Sequence, residues 1–153
     1  MSNHLHLLIQ IGEVTLSKVM QNLAFRYSQK INRKYSPVGH LFQGRFKALV
    51  IQEDVYFLRL LRYIHMNPVR GGITNNPESY LWSSHNTYLN RNPVNWVTCD
   101  YGLSKFDKNR AILDYSLYVT KAETDEELKE LRSRFKDGQV LGNDAFLNIR
   151  HLS

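Results

Sequence analysis

Over the first 34 residues the apolar spacing switches from every second position to the three-and-four rhythm of a helix, which commits this chain to a strand followed by a helix. Leu5, Leu7, Ile9 and Ile11 fall on one face of an alternating run, with His4 and His6 on the other. That pattern predicts a half-buried strand over about residues 4–11, one side packed and the other available for chemistry. After Gly12, Leu16, Val19, Met20, Leu23, Tyr27 and Ile31 recur at helical spacing, so a helix is expected from Thr15 to Lys34. Thr15 or Ser17 caps its start, and Ser36-Pro37 with Gly39 ends it. A second strand is expected near Leu41–Ile51, with Phe42, Phe46, Ala48 and Val50 on one face and Gln43, Arg45 and Lys47 on the other. A second helix should run from Asp54, its N-cap, to Met66, where Pro68 stops it.

Within these elements two groups of residues carry chemistry. His4 and His6 project from the same side of a strand, about 6.6 Å apart along it, close enough for both imidazoles to lean onto one divalent ion. An HxH pair on a solvated polar face reads equally well from spacing alone. On the second helix, Tyr56, Arg59, Tyr63 and Asn67 form one stripe, with Tyr63 and Asn67 one turn apart, about 6 Å along the axis. A phenol and an amide so placed address one centre: the amide oxygen suits a hard metal, and Arg59 or Arg62 can hold a phosphate beside the phenol. The plain alternative is a surface tyrosine beside a helix-ending asparagine. His65 points to another side of the helix and is not taken as a ligand.

Composition restricts what such a centre can be. Cys99 is the single cysteine, so internal disulfides and thiolate clusters are excluded, and a metal would be held by imidazole, amide or carboxylate; magnesium or manganese suits that mixture. No apolar run approaches the roughly 20 residues of a membrane span, and no leader pattern opens the chain, so a cytoplasmic, nucleoid-associated protein is expected. A net charge of +6 points to a polyanionic partner. The basic residues gather between Lys18 and Arg70, interleaved with Phe25, Tyr27, Tyr35, Phe42, Phe46, Tyr56 and Phe57, a mixture suited to unpaired bases and their backbone. Towards the rear, helices are expected near Lys105–Val119 and Asp125–Lys136, the latter opened by a Thr124/Glu127 capping box and packed through Leu128, Leu131 and Phe135. Glu123, Asp125, Glu126, Glu127 and Glu130 read as a solvated acidic face.

Three ordered segments make the pattern specific: Asn3-His4-Leu5-His6-Leu7-Leu8-Ile9, Gly39-His40-Leu41-Phe42-Gln43-Gly44-Arg45-Phe46-Lys47, and Leu61-Arg62-Tyr63-Ile64-His65-Met66-Asn67-Pro68-Val69-Arg70. In order and spacing they resemble the single-tyrosine HUH transposases, and within them the REP-associated tyrosine transposases. Tyr80-Leu81-Trp82-Ser83-Ser84 and Gly138-Gln139-Val140-Leu141-Gly142 through Phe146 are similar to that branch too. The resemblance implies His4, His6 and Asn67 as ligands of a divalent metal and Tyr63 as the nucleophile. It implies cleavage and rejoining of single-stranded or hairpin DNA through a 5′-phosphotyrosine link. Gln43, Arg45, Lys47, Arg59, Arg62 and Arg70 are assigned to DNA contact, the first three reading equally well as the solvated face of a strand.

The implied fold is α+β: a ferredoxin-like HUH core over residues 1–75 and a mostly helical extension over 76–153, acting as a monomer or homodimer. In the family, a strand, a helix and a strand precede the HxH strand, whereas here the motif begins at the fourth residue. The core is therefore expected to be incomplete at its N-terminus, and a catalytically impaired DNA-binding remnant is the alternative reading. A histidine-held metal activating water would need a carboxylate base, and neither Glu13 nor Asp54 has compelling spacing for that role.

Overall fold

The computed structural model describes residues 3–36 and 39–137, with side chains described except at 53–55 and 134–137. Pro37, the Gly138 to Phe146 segment and the Phe135 side chain lie outside the described residues. The chain divides into two compact units, Leu7–Ala48 and Met1–His6 with Leu49–Ser153.

Leu7–Ala48 contains α1 (Leu16–Tyr35), which begins where the sequence places it. Thr15 is extended at φ −62° and ψ 147°, and its hydroxyl oxygen accepts from the Lys18 N–H at 3.4 Å, satisfying a donor that the first turn leaves open. Arg33 and Lys34 occupy the last turn, where cations are favoured by the carbonyl ends, and Ser36 turns left-handed at φ 45° so that its N–H returns to the Asn32 carbonyl. None of the α1 residues is buried.

The two expected strands are not realised as a sheet. Among the described residues neither 4–11 nor 41–50 enters a ladder, and Ile51 alone is a bridge residue. Alternation supplies the two faces of a strand, but pairing needs a neighbouring backbone, and an unpaired segment keeps its N–H and C=O groups open. Leu5, Leu7, Ile9, Ile11, Phe42 and Phe46 are accordingly exposed. The described residues are mostly helical.

The other unit is built around α2 (Glu53–Arg70), which packs against α5 (Ala111–Thr120) and against a 3₁₀ turn at Pro77–Ser79. Its start is one residue before Asp54, with Gln52 as N-cap and no side-chain cap bond. It also runs past Pro68, because a proline in the last turn removes only its own N–H; the chain beyond still bonds back, Gly71 N to Asn67 O at 2.9 Å and Ile73 N to Pro68 O at 2.9 Å. Leu60, Leu61, Tyr88, Leu89, Tyr115, Val119 and Leu131 form the core. Two single-turn helices, α3 (His85–Tyr88) and α4 (Asp100–Leu103), close it. Gly102 allows that closure, since a Cβ there would meet Tyr88 Cε1 at 2.8 Å.

The rear helices differ from expectation at one end only. Residues 105–110 are turns, where the Asp107 carboxylate accepts the Asn109 N–H at 2.9 Å and so competes with helix formation before Ala111. The final helix, α6 (Asp125–Asp137), carries the reciprocal box: Thr124 N–H to Glu127 Oε2 at 3.0 Å and Glu127 N–H to Thr124 Oγ1 at 3.2 Å.

A polar chain crosses this core. His65 Nε2 lies 2.8 Å from Ser84 Oγ, His65 Nδ1 2.8 Å from the Tyr115 hydroxyl, and that hydroxyl 2.7 Å from His85 Nδ1. One hydroxyl hydrogen serves one imidazole, so the other imidazole must donate to the oxygen. Glu78 Oε1, 3.8 Å from His85 Nε2, favours a hydrogen on that nitrogen. His85 Nδ1 is then the acceptor from Tyr115, His65 Nδ1–H donates to Tyr115, and Ser84 donates to His65 Nε2. Burial keeps the whole chain neutral: it drives His65 down to about 3 and His85 below its ordinary value against the pull of Glu78, and it raises Tyr115.

Candidate active site

His4, His6, Tyr63 and Asn67 belong to the same unit. The His4 and His6 rings meet edge to face with centroids 5.2 Å apart, and His6 meets the Tyr63 ring the same way at 6.2 Å. Of the two imidazoles, His6 stands beside the phenol and His4 stands beside His6, even without a ladder to hold them. His4 Nδ1 lies 2.7 Å from Asn3 Oδ1; as donor to that amide oxygen it leaves Nε2 with its lone pair exposed. His6 is half-buried and its pKa is lowered, first by burial and then by the neighbouring His4, which favours the neutral form that binds metals.

Asn67, one turn beyond Tyr63 on α2, is buried, and its Nδ2 has no hydrogen-bond partner. The two ends of an amide exchange by a half-turn, so this orphaned site accommodates an oxygen directed at a cation as readily as a nitrogen. Among the described residues no group of three or more His, Cys, Asp and Glu side chains is placed to hold a metal ion. Asn67 offers an amide, a donor of another kind, one turn beyond Tyr63. The donor set of two imidazole nitrogens and one amide oxygen fits a divalent ion such as magnesium or manganese.

On its other side Tyr63 meets Arg70. The guanidinium carbon sits 4.7 Å from the ring centroid, and Nη2 donates to the Tyr63 carbonyl oxygen. Arg70 Nη1 is 2.5 Å from Glu123 Oε2, and Arg62 Nε is 3.2 Å from Glu123 Oε1. Glu123, with a side chain 4% exposed, is thus a buried carboxylate between two guanidiniums. Arg62 further approaches Glu127 at 3.9 Å and stacks over Tyr118, while Arg59 pairs with Glu130 at 3.0 Å. The acidic run is therefore not simply a solvated face: three of its members neutralise the arginines of α2. Arg59, Arg62 and Arg70 already have carboxylate partners, so none stands as a bare phosphate ligand. Gln43, Arg45 and Lys47 are exposed, on the Leu7–Ala48 unit.

Sequence reasoning missed Glu123. Its signal was faint: Arg70 stands two turns after Tyr63 with no acid nearby on α2, and the first acid of the rear run lies more than fifty residues on.

Residues 1–67 match the family described as Transposase IS200 like. That stretch contains His4, His6, Tyr63 and Asn67 and ends before Arg70 and Glu123. No curated protein and no solved structure matches the chain. Among the described residues no helix is long and apolar enough to cross a membrane.

Proposed function

We propose that this chain is a single-tyrosine transposase of the REP-associated kind, cleaving and rejoining single-stranded, hairpin-containing DNA. The observation that carries the reading is the contact of His6 with Tyr63, supported by the IS200-like similarity over the stretch that holds both. Tyr63 is the nucleophile, and His4, His6 and Asn67 hold the divalent metal. Bound there, the ion would polarise the scissile phosphate and neutralise charge developing on its oxygens.

The Tyr63 phenol loses its proton to solvent or a base, and its oxygen bonds to phosphorus. The 3′-oxygen departs and takes up a proton, leaving a 5′-phosphotyrosine and a free 3′-hydroxyl. A phosphodiester is exchanged for another ester, so the reverse attack by a 3′-hydroxyl rejoins the strand. Gln43, Arg45 and Lys47, exposed on the Leu7–Ala48 unit, contact the DNA, with Arg59 once it exchanges Glu130 for a phosphate. Residues 1–75 are the HUH core of this reading, and residues 76–153 are its extension.

The alternative, a DNA-binding remnant with impaired chemistry, is favoured by one observation: residues 4–11 and 41–50 lie outside any ladder among the described residues. Incubation of the full chain with end-labelled hairpin DNA separates the two. The transposase reading expects a covalent adduct that needs manganese or magnesium, vanishes with EDTA and is absent in Tyr63→Phe. DNA binding with no adduct under any metal would establish the remnant instead.

A further inference from the structure

Arg70 links Tyr63 to a part of the chain beyond the matched stretch. Although it lies two turns after Tyr63 on α2, its guanidinium folds back over the phenol ring at 4.7 Å and also donates to the Tyr63 carbonyl. The opposite side of the same guanidinium is bound to Glu123, whose side chain is 4% exposed and is also shared with Arg62. A planar cation held at three points has little rotamer freedom, and a carboxylate clasped by two guanidiniums is not readily displaced by a passing phosphate. The Tyr63 ring is thereby bounded by the Arg70 cation and by the His6 edge.

Resting on the tyrosine chemistry proposed above, we propose that Arg70, anchored by Glu123, is a positioning residue that fixes the Tyr63 phenol for attack and is not a phosphate ligand. The extension then contributes to the site directly, because Glu123 follows α5. A nucleophile displaced by about 1 Å from its near-attack position loses on the order of 100-fold in rate, so a residue that fixes the ring acts on turnover and not on substrate affinity.

The test uses the full chain labelled at tyrosine Cζ with ¹³C, the Tyr63 signal being assigned by its loss in Tyr63→Phe. Arg70→Gln should move that signal, whereas Arg91→Gln at an exposed site should not. In adduct formation on hairpin DNA with manganese, Arg70→Gln should lower kcat roughly 10- to 100-fold with KM within about twofold, and Arg70→Lys should recover part of the loss. Glu123→Gln should move the Tyr63 signal in the same sense. If that variant fails to fold, Arg70→Gln decides alone, since it leaves Glu123 paired with Arg62. A raised KM at unchanged kcat would make Arg70 a phosphate ligand and overturn the proposal, as would an unmoved Tyr63 signal. Absence of a Tyr63-dependent adduct in the wild type would defeat the transposase reading, and the resonance comparison would then decide the role of Arg70 by itself.

Discussion

Replacing Tyr115 by Phe removes a single oxygen on which two imidazoles depend. The ring itself should stay, stacked on Tyr88 at 4.9 Å and edge-on to Phe106 at 6.3 Å, so no apolar transfer term is lost. What disappears is the acceptor for His65 Nδ1–H and the donor to His85 Nδ1. Those nitrogens, held at 2.8 and 2.7 Å from a common oxygen, lie about 4.5 Å apart at tetrahedral geometry, too far to bond each other directly. Tyr115 is 0% exposed, so bulk water does not replace the hydroxyl. Two buried groups left unsatisfied at about 1–3 kcal/mol each give an expected loss of about 2–6 kcal/mol. Urea unfolding of the full chain, followed by circular dichroism at pH 7.5, measures it. Adding His65→Leu to Tyr115→Phe should cost less than the sum of the single changes, because the second substitution removes a group the first had orphaned. A loss below about 0.5 kcal/mol with an unchanged denaturant slope would refute the relay, since it would mean that the hydroxyl carries neither bond.

The same histidines set a pH limit. His65 titrates at about 3 when folded against 6.5 unfolded, so between those values the unfolded chain binds more protons and stability falls as pH falls. Its full contribution is present above pH 6.5, and at pH 5 the loss from His65 alone is about 2 kcal/mol. His85, also lowered, adds in the same direction. Unfolding midpoints in urea at pH 7.5 and 5.0 test this, and equal stability at the two values would contradict it. For DNA contact, Arg45→Gln with Lys47→Gln should flatten the slope of log affinity against log salt by about 1.4 for a single-stranded ligand. An unaltered slope in fluorescence anisotropy titrations would remove those two side chains from the interface.

What the sequence revealed was local. The α1 stripe, its Thr15 cap and the Thr124/Glu127 box depend on residues three or four apart, and each stands where its spacing indicates. Tyr63 and Asn67 are likewise fixed by one turn of helix, and His6 reaches Tyr63. The failures lie where local pattern needs a distant partner. Alternation in residues 4–11 defines two faces but cannot supply the neighbour that makes a ladder. Pro68 forbids its own donor but not the two residues that complete the turn after it. For Arg62 and Arg70, nothing on α2 announced the Glu123 carboxylate that pairs with both. His65, by contrast, points to another side of the helix as its position on α2 indicates, and faces Ser84 and Tyr115.

His4 and His6 reach α2 only because the chain leaves their unit at Leu7 and returns to it at Leu49. Bringing together the ends of an excursion of about 40 residues carries a loop-closure cost of about 3 kcal/mol. The helical body, tied by the α2 to α5 packing, bears none of that cost. The histidine segment should therefore detach and reattach while the body stays folded, and its amide hydrogens should exchange with solvent long before those of α2. Assembly of this centre is then a separate equilibrium from folding, one that a change in the length of the excursion would shift without altering the core.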